Sequence, residues 1–103
     1  MAMKLNKHDR LMQACKDAIA TWGNKQPDIA IEECAELTVA ILHHQRGKAE
    51  RAAVAAEAAD CLIVSLQMLL MYSDTEQTAD DMLTHKLQRL EGKLAFAKQA
   101  NTK

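Results

Sequence analysis

The feature that most constrains this chain is how few places it has to turn. Its 103 residues include three glycines and one proline, separated by long stretches dominated by Ala, Leu and Met. Alanine and unbranched apolar residues lose little freedom in a helix. The aromatic residues that favour strands are reduced here to one Trp, one Tyr and one Phe. The composition reads as all-α. The length suits one small domain over residues 1–103, with a core from about 7 to 98.

Apolar periodicity places four helices. Leu11, Cys15, Ala18, Ile19 and Trp22 recur at helical spacing and predict a first helix over 7–22, stopped by Gly23. "NKQPD" reads as a loop, with Pro27 and Asp28 suited to the first turn of a second helix over 28–44, which "QRGK" ends. A third helix is expected from near Ala49 to about Tyr72. "SDTE" then breaks the chain and caps a fourth over 75–98, whose seam is Leu83, Leu87, Leu90, Leu94 and Ala97. The tail "QANTK" is expected to fray. Short connections between long helices make neighbours antiparallel, so a four-helix bundle is expected.

Thirteen Lys and Arg against fourteen Asp and Glu leave the chain almost neutral, without the basic excess that nucleic acid or an acidic membrane surface would need. Cys15, Cys34 and Cys61 show no zinc-ligand spacing and read as small buried hydrophobes in a reducing cytosol. The start "MAMKLNKHDR" has no apolar run behind it and does not read as a secretory signal. The longest apolar run, "CLIVSLQMLLMY", is interrupted by Ser65 and Gln67 and falls short of the ~20 residues of a membrane span. A soluble, cytoplasmic protein is expected.

Against this background, "IEECAEL" (31–37) and "EAADCLI" (57–63) put acids where apolar residues would pack better. At about 100° per residue, Glu33 falls in the middle of the arc of Ile29, Ala30, Leu37, Ala40 and Ile41, with Glu36 one turn on at its edge. Glu57 is likewise central to Ala53, Cys61, Val64, Met68 and Met71, with Asp60 one turn on. A single such pair reads as a solvated surface pair; two pairs on the main apolar stripes read as a site. Four facing carboxylates in a bundle repel one another and resist desolvation, so protons or cations must compensate. An all-oxygen set suits Mg²⁺ or Mn²⁺ better than zinc. Di-iron bundles need Glu-x-x-His, which this chain lacks, and the adjacent His43 and His44 read as surface or interface residues. Carboxylates holding Mg²⁺ with open positions commonly serve phosphate chemistry.

"EECAE" followed after twenty residues by "EAAD" resembles the EExxE…ExxD signature of the MazG-like all-α nucleoside triphosphate pyrophosphohydrolases, over roughly residues 20–95. The resemblance implies an oligomeric helical hydrolase of that type, using Mg²⁺ to cleave a (deoxy)nucleoside triphosphate between its α and β phosphates. The products would be the monophosphate and pyrophosphate. It implies Glu33, Glu36, Glu57 and Asp60 as metal-holding catalytic residues, with Glu32 as the leading acid of the motif. The Lys, Asn and Arg often found on the family's last helix are matched here by Lys86, Leu90 and Lys93, with Arg89 keeping a further basic residue. Lys86, Arg89 and Lys93 form a basic stripe that is either a solvated face or a phosphate contact. Trp22 can stack a base and Gln26 bond its edge, or Trp22 can be a core or interface residue. The competing reading is a non-catalytic oligomerisation or adaptor module with a cation-binding acidic cluster. A homodimer or homotetramer is expected on either reading, because Ile31, Ala35, Val39 and Leu42 form a second apolar face on helix two and helix three is apolar all round.

Overall fold

The computed structural model of the chain describes residues 6–101, and these are helical almost throughout, with no strand among them. Four α-helices follow in order: α1 (Lys7–Trp22), α2 (Gln26–Gln45), α3 (Arg51–Met71) and α4 (Glu76–Asn101). Met1–Leu5, part of the stretch read for a signal sequence, lie outside the described residues, as do the last two residues of the tail. The rest of that tail, through Asn101, continues α4.

Local chemistry explains the boundaries. The Asn6 side chain caps α1 by accepting from the Asp9 backbone N–H at 2.8 Å. Gly23 ends the helix at φ 47°, its N–H returning to the Ile19 carbonyl. A 3-10 turn over Gly23–Lys25 then runs directly into α2, so α2 begins two residues earlier than the loop reading of "NKQPD" expects. Pro27 sits in its first turn, where no N–H is needed. After α2 the chain reverses through Gly47 at φ 74°, with the Gly47 and Lys48 N–H groups bonded to His44 and His43 carbonyls. His44 Nδ1 lies 2.9 Å from the Ala49 carbonyl oxygen and closes the same turn. Glu50 is still extended, which delays α3 to Arg51. Thr75 Oγ1 accepts from the Thr78 N–H at 3.1 Å, the cap expected of "SDTE".

Two compact units result, one ending at Tyr72 and the other beginning at Ser73. In the first, α3 is the hub: α2 packs along it most extensively and α1 packs on it as well. Contacts ordered along the chain show that α2 and α3 are antiparallel. Gln26 meets Gln67, Cys34 meets Cys61, and His44 meets Ala49. The covered apolar residues are small: Cys15 and Ala18 from α1, Ala30 and Ala40 from α2, Val64 from α3. The second unit is α4, in which Ala79 is the one buried residue among those described. Its expected seam of Leu83, Leu87, Leu90 and Leu94 is exposed along its length.

The second apolar face of α2 points outward, as its periodicity predicts, with Ile31 67 % exposed and Val39 and Leu42 also open. Leu62 on α3 is 68 % exposed. By length and mean hydropathy α3 would also suffice to cross a membrane, a property the interrupted apolar run conceals because alanines extend it upstream. Glu57 and Asp60 lie within it.

One polar pair anchors the open end of the hairpin. Gln26 is 2 % exposed and its amide nitrogen donates to Gln67 Oε1, itself buried. Gln67 also bonds the Cys15 thiol, whose pKa burial pushes up against the opposing pull of that bond. Removing one partner leaves the other buried and unpaired, whereas replacing both removes the demand. Gln67→Leu is therefore expected to lower unfolding free energy by about 1–3 kcal/mol, and the added Gln26→Leu to recover most of it. Denaturant melts of the two variants check this; a double variant as unstable as the single one would assign the loss to packing.

Candidate metal centre

The register that brings Gln26 to Gln67 also brings the acids together. Glu33 and Glu36 are one turn apart on α2, and Glu57 comes from the facing turns of α3. One carboxylate oxygen from each of these three residues lies within 4.8 Å of the other two. Glu33 and Glu57 are half-buried and Glu36 is exposed, so the cluster has a covered floor and an open side. Glu33 shares the inward stripe of Ala30, Leu37 and Ala40, and Glu57 that of Cys61 and Val64, as the periodicity predicts. Ile41 and Ala53, expected on those stripes, are exposed.

The electrostatics follow from that placement. Removal from water raises the Glu33 pKa most, and the charges of Glu36, Asp60, Glu57 and Glu32 raise it further. Glu57 is raised first by desolvation, then by the Glu36 charge, by a carboxyl–carboxyl hydrogen bond with Glu36, and by Asp60. Asp60 is thus close enough to act on both, although it stands outside the set of three and is exposed. Glu32 is exposed at the margin.

Whether these residues fit a cation is decided by two atoms. Glu33 Oε2 and Glu57 Oε2 are covered from solvent and have no hydrogen-bond partner. Buried carboxylate oxygens are normally satisfied, and two orphans of like charge in one cluster demand a proton or a cation between them. Oxygens on opposite sides of Mg²⁺ stand ~4.2 Å apart, so small side-chain rotations bring this set to bonding distance. The donors are all oxygen, which suits a hard divalent ion.

An open groove of about 450 Å³ runs between α2 and α3 from Glu36 and Glu57 towards His43 and Ala49, floored by alanines. Other residues singled out in the sequence lie elsewhere. Trp22 is 54 % exposed at the end of α1, and Gln26 is held against α3. Lys86, Arg89 and Lys93 are exposed on α4, in the second unit. Of the cysteines, Cys15 is buried as expected, but Cys34 is exposed and Cys61 half-buried. Cys34 occupies the flank of α2 beside the Glu33 stripe, where the small-hydrophobe reading had no means of distinguishing flank from core. No family model, curated protein or solved structure matches the chain.

The raised pKa values predict a pH dependence with a definite sign. Glu33 and Glu57 lie above the ordinary value of 4.5 in the folded chain, so their protonated forms favour folding. That contribution is complete below the ordinary value and is lost as pH rises through the folded pKa values above it. In chelator, wild type should therefore lose melting temperature relative to Glu57→Gln as pH rises from 4.5, and the variant should melt higher at neutral pH. Subtracting the two curves cancels the carboxylates remote from the cluster and leaves Glu57 together with its coupling to Glu33. Parallel curves would show that Glu57 carries no repulsion.

Proposed function

We propose that this chain is an Mg²⁺-dependent nucleotide pyrophosphohydrolase, cleaving a (deoxy)nucleoside triphosphate to the monophosphate and pyrophosphate. The observation that carries the reading is the convergence of Glu33, Glu36 and Glu57 around two covered, unpartnered carboxylate oxygens. The EExxE…ExxD resemblance supplies the reaction class. Glu33, Glu36, Glu57 and Asp60 would hold Mg²⁺, with Mn²⁺ a chemically similar substitute. Bound there, the ion would supply charge neutralisation at the phosphate oxygens and a bound water of lowered pKa.

The chain's own groups do the rest. The carboxylate left least engaged by the ion accepts the proton of the attacking water. The alanine-floored groove beside Glu36 and Glu57 gives a nucleotide a place to lie along α2 and α3. The resemblance assigns Lys86, Arg89 and Lys93 to the phosphates and Trp22 to the base, whereas Gln26, buried and bonded to Gln67, serves the packing instead. Rate enhancement would come from positioning and charge neutralisation, as phosphoryl transfer allows.

The same proposal makes the chain a four-helix bundle and the protein a homo-oligomer, a dimer or tetramer. The outward face of α2, Leu62 of α3 and the leucines of α4 are apolar and exposed. A soluble chain rarely leaves that much apolar surface in water. The adaptor reading shares this association, so turnover separates the two.

Pyrophosphate release is expected from at least one (deoxy)nucleoside triphosphate in millimolar Mg²⁺ and not in chelator. Glu57→Gln should lose most of that turnover and should gain much less melting temperature from Mg²⁺ than wild type, since binding to the folded state stabilises by mass action. Lys86→Ala and Arg89→Ala should raise KM, by tenfold or so for each charge-assisted bond worth about 1.5 kcal/mol, with little change in folding. Folded protein that turns over no nucleotide in Mg²⁺ would end the enzyme reading. Light scattering at micromolar concentration should give at least a dimer. A monodisperse monomer in plain buffer would refute association, and a requirement for detergent would point to α3 as a membrane helix.

A further inference from the structure

We propose that Cys34 and Cys61 form a thiol pair that closes reversibly into a disulfide between α2 and α3. Their sulfurs lie 3.2 Å apart across the antiparallel hairpin. A disulfide bond is about 2.05 Å long, so the sulfurs need to approach by only about 1.2 Å. Cys34 is exposed and Cys61 half-buried, which gives an oxidant one accessible sulfur and a second waiting behind it. Cys61 also has the Ser65 hydroxyl at 3.9 Å. Cys15 differs in every respect: it is 0 % exposed and faces the Ile63 carbonyl at 3.8 Å.

The chemistry balances with a small-molecule disulfide such as oxidised glutathione as the co-reactant. Cys34, as thiolate, attacks one glutathione sulfur; that S–S bond breaks and one glutathione leaves as thiolate. Cys61, as thiolate, then attacks the Cys34 sulfur of the mixed disulfide and expels the second glutathione. Two protein thiols become one disulfide, one oxidised glutathione becomes two reduced ones, and the two thiol protons end on the departing thiolates. The link ties α2 to α3 at the residue after Glu33 and the residue after Asp60. Redox state therefore sets how freely the two helices can part around the carboxylates. This holds whether or not the cluster serves catalysis.

The two cysteines are 27 positions apart, so the closed loop restrains the unfolded chain. Reduced, metal-free protein is treated with excess oxidised glutathione, then read by intact mass, peptide mapping and thermal melts. The expected product is a monomer-chain mass lower by about 2 Da, a Cys34–Cys61 cross-linked peptide, Cys15 still alkylatable after unfolding, and a melting temperature raised by roughly 10 °C. Dithiothreitol should reverse all of it, and Cys34→Ser and Cys61→Ser should each prevent it while melting as the reduced wild type does. A stable glutathione adduct on Cys34, a disulfide joining two chains, a link through Cys15, or unreacted thiols in the folded protein would each overturn the proposal.

Discussion

Everything distinctive about this protein depends on the register between α2 and α3. The two helices run antiparallel, joined by the tight turn at Gly47, and each contact along them fixes the next. The His44–Ala49 closure at the turn sets the level at which Glu36 meets Glu57; that level sets Cys34 opposite Cys61, and the Gln26–Gln67 bond seals the far end. A slip of one residue would turn each side chain by about 100° and scatter all three pairs. The acids are therefore held together by apolar packing and amide hydrogen bonding above and below them, against their mutual repulsion.

That repulsion gives the cluster its chemical character. Covered, unpartnered oxygens on Glu33 and Glu57 are a standing demand for positive charge, which the raised pKa values of both groups express. Packing selects against such an arrangement, because an apolar residue at position 33 or 57 would bury more cheaply. Its presence on both helices of one hairpin is a property of the site that packing alone does not explain.

Much of this was legible in the sequence. Periodicity and caps located all four helices, α1 to the residue, and the apolar arcs already placed Glu33 and Glu57 on the inward faces. What escaped was information held in pairs. Gln67 reads as an interruption of an apolar run, yet it lies three residues after Val64 on the inward stripe, and a glutamine there implies a buried partner. Cys34 and Cys61 look like fillers one at a time; once Glu36 is set level with Glu57, counting along antiparallel helices brings them almost opposite. The leucines of α4 were read as a seam from spacing alone, and spacing says which face is apolar without saying what covers it.

The tight turn at Gly47 has a kinetic consequence. Because the reversal is short, the contacts nearest it, such as His44 with Ala49, are local in sequence and ordinarily form early, and the hairpin zips from them towards Cys34–Cys61 and Gln26–Gln67. Here the fast step is also the one that drives like charges together. The speed with which this chain collapses should thus follow the ionic atmosphere around it: dissolved salt, by screening carboxylates that are still in water at that stage, acts as a folding catalyst for the hairpin.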